Sequence, residues 1–244
     1  MRSFLFNIFF YLFTTLAAIV AIPLLILPGN RLLWGHLGIY TKSIRAGLKL
    51  LNGSSLEVHG KEHLPTDRPY IIAAKHSSEG DTILLMSSIG PYRAITWQGL
   101  TKIPLVGRIL KKIDAIFVES CGAGQTDKPR LNELAHEAKK DNQPLVIYPE
   151  GRLVRLDEND PLKKGVFYLY KELNIPVVTM ASNLGNLWQA RDLGKAAGTA
   201  TFEFHEPIEP GLEKDAFMAV LEEQIVDRSK ELIDDQKARG EGLS

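Results

Sequence analysis

Two patterns of apolar and polar positions divide the chain. From Phe4 to Leu27 no residue is charged, and the clearly polar ones are Asn7, Thr14 and Thr15. As a helix this run extends about 36 Å, enough to cross a hydrocarbon core of roughly 30 Å, and it is read as a membrane segment. Pro23 and Pro28 can bend or end it, so the pattern is compatible with a single span and with a helical hairpin. Residues 30–51 carry Leu32, Leu33, Leu37, Ile44, Leu48 and Leu51 at helical spacing, with Trp34 and Tyr40 suited to an interface. Lys42, Arg45 and Lys49 give this second helix a basic face. Such a helix lies on an anionic membrane surface or docks on a core.

After Asn52-Gly53 the pattern changes to short strands alternating with helices. Strands are expected at Leu56–His59, Tyr70–Ala74, Arg93–Thr96, Ala115–Val118, Leu145–Tyr148, Val177–Met180 and Thr199–Phe204. Helices are expected near 82–89, 104–112, 128–140 and 162–173, and a last amphipathic helix over about 213–238. The alternation predicts an α/β fold with a mostly parallel mixed sheet flanked by helices. Two regions follow: an N-terminal membrane segment with its amphipathic helix over 1–52, and an α/β domain over 53–244.

Composition narrows the function. Twenty-nine Lys and Arg balance 29 Asp and Glu, so no global field draws the chain to nucleic acid. The single cysteine, Cys121, excludes an internal disulfide framework, and no close histidine pair suggests a metal site. Arg2 precedes the apolar run, whereas Arg31, Lys42, Arg45 and Lys49 follow it. By the positive-inside bias the α/β domain faces the cytoplasm, at the inner membrane in a bacterial cell.

In an open α/β sheet, active groups gather where strands end and helices begin. Two loops there carry chemistry. The first is Lys75-His76-Ser77-Ser78-Glu79-Gly80-Asp81. Were it all helix, His76 and Asp81 would stand about 140° apart around the axis. If the helix instead starts near Ser78, Asp81 folds back to hold one ring N–H and leaves the other nitrogen to take a proton. Ser78-x-x-Asp81 also has the form of a capping box, so Asp81 is equally readable as a helix cap. There is no Gly-x-Ser-x-Gly elbow, Walker A loop or Gly-x-Gly-x-x-Gly turn. A histidine base without a protein nucleophile implies attack by a substrate hydroxyl or water. The second loop is Pro149-Glu150-Gly151-Arg152-Leu153-Val154-Arg155. Gly151 permits a tight turn, Arg152 and Arg155 are candidates to grip a phosphate, and Glu150 to orient them or bind a hydroxyl.

Together these blocks resemble the glycerolipid acyltransferases, best known from the 1-acyl-glycerol-3-phosphate (lysophosphatidic acid) acyltransferases. His76 to Asp81 looks like the family's His-x-x-x-x-Asp block, and Tyr148-Pro149-Glu150-Gly151-Arg152-Leu153 is similar to its Phe-Pro-Glu-Gly-Thr-Arg block. Lys102 to Gly107 looks like the stretch that precedes the family's second block, Asp114 to Ser120 looks like that block, and Ile175 to Val178 is similar to the fourth. The resemblance implies a membrane-bound enzyme in phospholipid biosynthesis with His76 as base and Asp81 as its orienter. It implies transfer from acyl-CoA or acyl-carrier protein, a substrate rather than a cofactor, to a lysolipid hydroxyl in the bilayer, with 1-acyl-glycerol-3-phosphate the first-choice acceptor. Lys75, Ser120, Arg130, Glu150, Gly151, Arg152 and Arg155 are the implied substrate-binding set. The chain departs from the pattern at Ser120, where the family has an arginine that holds the acceptor's phosphate, at Arg152-Leu153, and at Thr179 in place of a proline. The lost arginine's place falls to Arg130, Arg152, Arg155, Lys163 or Lys164, or else the acceptor is a different lysolipid, such as lyso-ornithine lipid. An inactive lipid-binding relative is the alternative outside enzymes. Lys102, Arg108, Lys111 and Lys112 suit a donor's phosphates and equally a solvated helix face.

Overall fold

The computed structural model describes residues 1–118, 143–156 and 160–242, with 133, 136, 137, 139 and 158 from the stretches between. Ser120, Arg130 and most of the helix expected near 128–140 lie outside the described residues. The strands are β1 (Ser54–His59), β2 (Ile71–Ala74), β3 (Arg93–Trp97), β4 (Ile116–Val118), β5 (Leu145–Ile147), β6 (Val177–Ser182) and β7 (Gly198–Phe204), each within a residue or two of its expected place. They form one sheet in the order β1-β7-β6-β2-β5-β3-β4. Every pairing is parallel except β6 with β7.

Side chains alternate across the strands and split the interior in two. Ile71, Ala73, Leu145, Ile147 and Val177 face α5 (Gly165–Leu173) and α6 (Lys214–Leu221). Ile72, Ala74, Val146, Val178 and Met180 face the N-terminal helices and α3 (Gly80–Ile89). Phe217 of α6 is fully buried and stacks on Tyr170 with ring centroids 4.4 Å apart, while Phe167 lies 5.7 Å away. Phe217→Ala is therefore expected to cost about 3–5 kcal/mol, read as a lowered denaturation midpoint of the detergent-solubilised protein.

The expected C-terminal helix is α6, one wide turn over Glu222–Asp227 and α7 (Arg228–Ala238). The wide turn explains Thr179. Its buried hydroxyl donates to Gln224 at 2.7 Å and meets His205 Nδ1 at 3.0 Å, a polar contact that a proline would lack. Buried amides fasten α7 to the sheet: Gln236 donates to Thr199 O at 2.6 Å and Asn183 to Leu232 O at 3.1 Å.

The apolar run forms α1 (Arg2–Ile26), followed by α2 (Arg31–Gly47). Pro23 sits within α1 without ending it; the chain turns extended at Leu27, just before Pro28. α1 is the described helix long and apolar enough to cross a membrane, and most of it is uncovered: Phe4, Leu12, Leu16 and Ile19 are exposed. Both of its ends are fastened to the α/β domain. At the start, Phe6 and Phe10 meet Trp188 edge-on at 5.4 and 5.2 Å, and Asn7 donates to Leu193 O at 2.8 Å. Beyond its far end, Lys112 of α4 (Val106–Lys112) donates to Leu27 O at 2.6 Å, and Asn30 to Asp114 at 3.2 Å.

Candidate active site

The C-terminal ends of β2 and β5 are neighbours, and their connections leave in opposite directions: β2 leads through α3 to β3, β5 through α5 to β6. This divergence opens a crevice at the strand ends, and the two chemistry-bearing loops meet there. The helix does not begin at His76 but at Gly80, so residues 76–79 are free to fold. One carboxylate oxygen of Asp81, Oδ2, organises the turn. It lies 3.1 Å from His76 Nδ1 and accepts the backbone N–H groups of Ser77 and Ser78, each at 2.8 Å. The bond to Ser78 is half of the capping box; Ser78 Oγ completes a tighter version by accepting the Gly80 N–H at 3.0 Å. Asp81 thus faces the imidazole and caps the turn at once. It is fully buried, whereas the His76 side chain keeps 20% exposure. With Nδ1–H donated to Asp81, His76 Nε2 is the nitrogen available as acceptor.

Tyr148 is a member of the site that sequence reasoning missed. Its ring stacks on the His76 imidazole with centroids 4.0 Å apart and planes 21° from parallel. Its hydroxyl meets Thr82 Oγ1 at 3.1 Å, and burial pushes its phenol pKa well above the usual value. The signal was the aromatic residue directly before Pro149-Glu150. Tyr148→Leu should lower turnover up to about tenfold, while Tyr148→Phe keeps the stack and most of the rate; steady-state assays of the two variants check this.

The second loop holds the first from below. Gly151 adopts φ +74° and closes a tight turn, its N–H donating to Tyr148 O at 2.9 Å. Glu150 is 1% exposed; its Oε2 accepts the His76 N–H at 2.8 Å. Lys75 Nζ stands 2.6 Å from the other oxygen, an ion pair rather than an aligned hydrogen bond. Val154 N–H donates to His76 O at 2.9 Å. Glu150 therefore contacts the backbone of the His76 loop, and neither arginine. Arg152 is turned outward, bonded to Asp160 at 2.5 Å and Glu158 at 2.6 Å. Arg155 donates to Ala190 O at 3.2 Å. Lys163 donates its backbone N–H to Pro149 O at 2.7 Å, which sets its residue beside the loop. Ser77 is no nucleophile partner for His76: its hydroxyl is buried against Gly185, where an added Cβ would stand 2.6 Å from Oγ. Among the described residues no group of histidines, cysteines and carboxylates suited to a metal ion occurs.

Comparison with known proteins gives the family. Residues 55–183 match the Acyltransferase family. The chain is 25% identical over 169 residues to the 1-acyl-sn-glycerol-3-phosphate acyltransferase of Pseudomonas aeruginosa, covering 68% of this chain and 62% of that protein. It is 28% identical over 193 residues to the protein of that name from Saccharomyces cerevisiae, covering 76% and 63%. The match thus spans under two thirds of the length of these two relatives. The crystal structure of the 1-acyl-sn-glycerophosphate (LPA) acyltransferase PlsC from Thermotoga maritima superposes with a TM-score of 0.75 at 20% identity, over 95% of this chain and 98% of that one. That likeness speaks for the fold. The family match takes in both loops of the site and more than half of the 244 residues, and the chain belongs to the Acyltransferase family.

Proposed function

We propose that the protein moves a fatty acyl group from an acyl thioester to the free hydroxyl of a lysoglycerophospholipid at a membrane surface. The observation that carries this reading is the imidazole of His76. It is held through Nδ1 by a buried carboxylate and stacked on Tyr148, with no serine hydroxyl in reach as a protein nucleophile among the described residues. In the proposed reaction His76 Nε2 takes the proton of the acceptor hydroxyl as its oxygen bonds to the thioester carbonyl carbon. The tetrahedral adduct collapses, the C–S bond breaks, and the imidazolium returns the proton to the leaving thiolate. Acyl-CoA and acyl-carrier protein both supply such a thioester.

The N-terminal helices supply the surface. A helix of 25 residues fastened at both ends to one α/β domain lies along that domain. This favours α1 and α2 embedded in one leaflet over a single crossing, with the α/β domain at the cytoplasmic face by the distribution of Lys and Arg. The ring of His76 stacks on Tyr148, which packs with Ile72 and Ala74 on the sheet face toward these helices, the side from which a lysolipid arrives.

The resemblance favours 1-acyl-glycerol-3-phosphate as acceptor. A second reading, another lysolipid, is favoured by Arg152, whose guanidinium is engaged by two carboxylates. A phosphomonoester would then need other cations, Lys163 and Lys164 among them. Purified protein in detergent, given a labelled acyl thioester and a panel of lysolipids, decides. Strong preference for lysophosphatidic acid supports the first reading and preference for a different head group the second. Binding without turnover on any thioester donor would overturn both.

A further inference from the structure

We propose that Lys75 is a positioning residue for His76, acting through Glu150, and not a substrate-binding residue. The inference rests on the reading of His76 as the base. Sequence reasoning groups Lys75 and Glu150 with the residues that hold substrate, since Lys75 adjoins the first functional block and Glu150 lies within the other. Three observations point elsewhere. The first is direction: Lys75 continues β2, its N–H donating to Met180 O at 3.0 Å, so by alternation its side chain follows Ile71 and Ala73 to the sheet face opposite the imidazole. There it borders a cleft, behind the His76 loop, whose charged lining is Arg155, Glu158 and Asp160 from the second loop and Lys230, Asp234 and Lys237 from α7. The second is the pair itself: Lys75 is 14% exposed, Glu150 is 1% exposed, and 2.6 Å separates Nζ from Oε1. The third is the relay, because Glu150 Oε2 takes the His76 backbone N–H at 2.8 Å.

A carboxylate so deeply buried resists ionisation. Burial pushes the Glu150 carboxyl above its ordinary range, and Lys75 and His76 pull it back down. These are the charged groups acting on it, from the turn between β2 and α3; Tyr148 is the titratable neighbour on its own segment. Lys75 therefore keeps Glu150 an anion, and the anion is the better acceptor for the His76 N–H. Without the cation, Glu150 takes up a proton at higher pH, its hold on the His76 backbone weakens and the ring loses its place.

This predicts a pattern that substrate binding does not. In Lys75→Met the aliphatic stem is kept, and kcat falls about 10- to 100-fold near neutral pH, as for a base displaced by about an ångström. The acceptor KM stays within about twofold of the parent value, since the lost interaction is not one made with substrate. The folded pKa of Glu150 rises, so the activity that needs its anion is present above that pKa and lost as pH falls through it. The acid limb of the kcat profile moves upward. Lys75→Arg keeps the charge and most of the rate. Glu150→Gln offers the same N–H a neutral carbonyl that needs no cation. Lys75→Met combined with Glu150→Gln is accordingly more active than either single variant, because removing both members of a buried pair leaves no uncompensated charge. The double variant also keeps the test decisive if Lys75→Met alone misfolds.

The full chain in detergent is assayed for kcat, acceptor KM and pH dependence, and the His76 backbone amide is followed by NMR across neutral pH. Recovery in the double variant, and an amide transition that appears with Lys75→Met and disappears again when Glu150→Gln is added, support the positioning role. A raised acceptor KM with an unmoved acid limb and no recovery would overturn it, as would an amide indifferent to Lys75→Met. If the parent protein transfers no acyl group, the functional reading fails, and the amide titration still judges the pair.

Discussion

His76→Ala lowers the rate of acyl transfer about 100- to 10,000-fold and leaves the fold intact. The range is what a positioned general base contributes, since without it the acceptor hydroxyl must lose its proton to water. The fold survives because the loop is held by its backbone: the His76 N–H is bonded to Glu150 and the His76 carbonyl to Val154, whichever side chain stands there. The ring itself is partly exposed and, among the described residues, stacks on Tyr148 at its flank, so its removal leaves no large buried cavity. Steady-state kinetics beside a circular dichroism melt separates the two effects. A large fall in kcat with an unchanged melt is expected, and full activity in the variant contradicts the assignment.

Asp81 gives the second large effect, and its two variants differ in kind. Asp81→Asn keeps an oxygen for the Ser77 and Ser78 N–H groups but loses the charge that balances the imidazolium, and kcat is expected to fall about 100- to 10,000-fold. Asp81→Ala loses activity and stability together. The backbone N–H groups of two buried residues, Ser77 and Ser78, lose their acceptor, each at about 1–3 kcal/mol. Activity and thermal melts on both variants should therefore show one catalytic defect and one combined defect. Equal stability of the two would mean that Asp81 does not cap the turn.

The sequence made the sheet legible, because strands such as Ile71–Ala74 are buried on both faces and read as unbroken apolar runs. It made the His76–Asp81 pair legible only as two alternatives. The choice depended on where the helix starts, and the start at Gly80 follows from carboxylate bonds to Ser77 and Ser78 that no periodicity reports. Arg152 shows the opposite difficulty. Its place beside the Pro149-Glu150-Gly151 turn suggests a phosphate ligand, yet Glu158 and Asp160, a few residues on, take its guanidinium. The Lys75–Glu150 pair joins residues far apart in sequence, and only the parallel pairing of β2 with β5 makes them neighbours. The groups that hold the start of α1 against the α/β domain, Trp188 and Leu193, are likewise far from it in sequence.

The central claim is direct transfer to a lipid hydroxyl with His76 as base and no acyl-enzyme. Labelled acyl thioester is mixed with excess protein, and the lysolipid is withheld and then added. The account predicts no acylated protein by intact mass before the addition. After it, labelled diacyl lipid and free thiol should appear in equal amounts, fast with the parent chain and at least about 100-fold slower with His76→Ala. A stoichiometric acyl-protein formed before acceptor is added, or no labelled lipid from any lysolipid with either thioester, contradicts it.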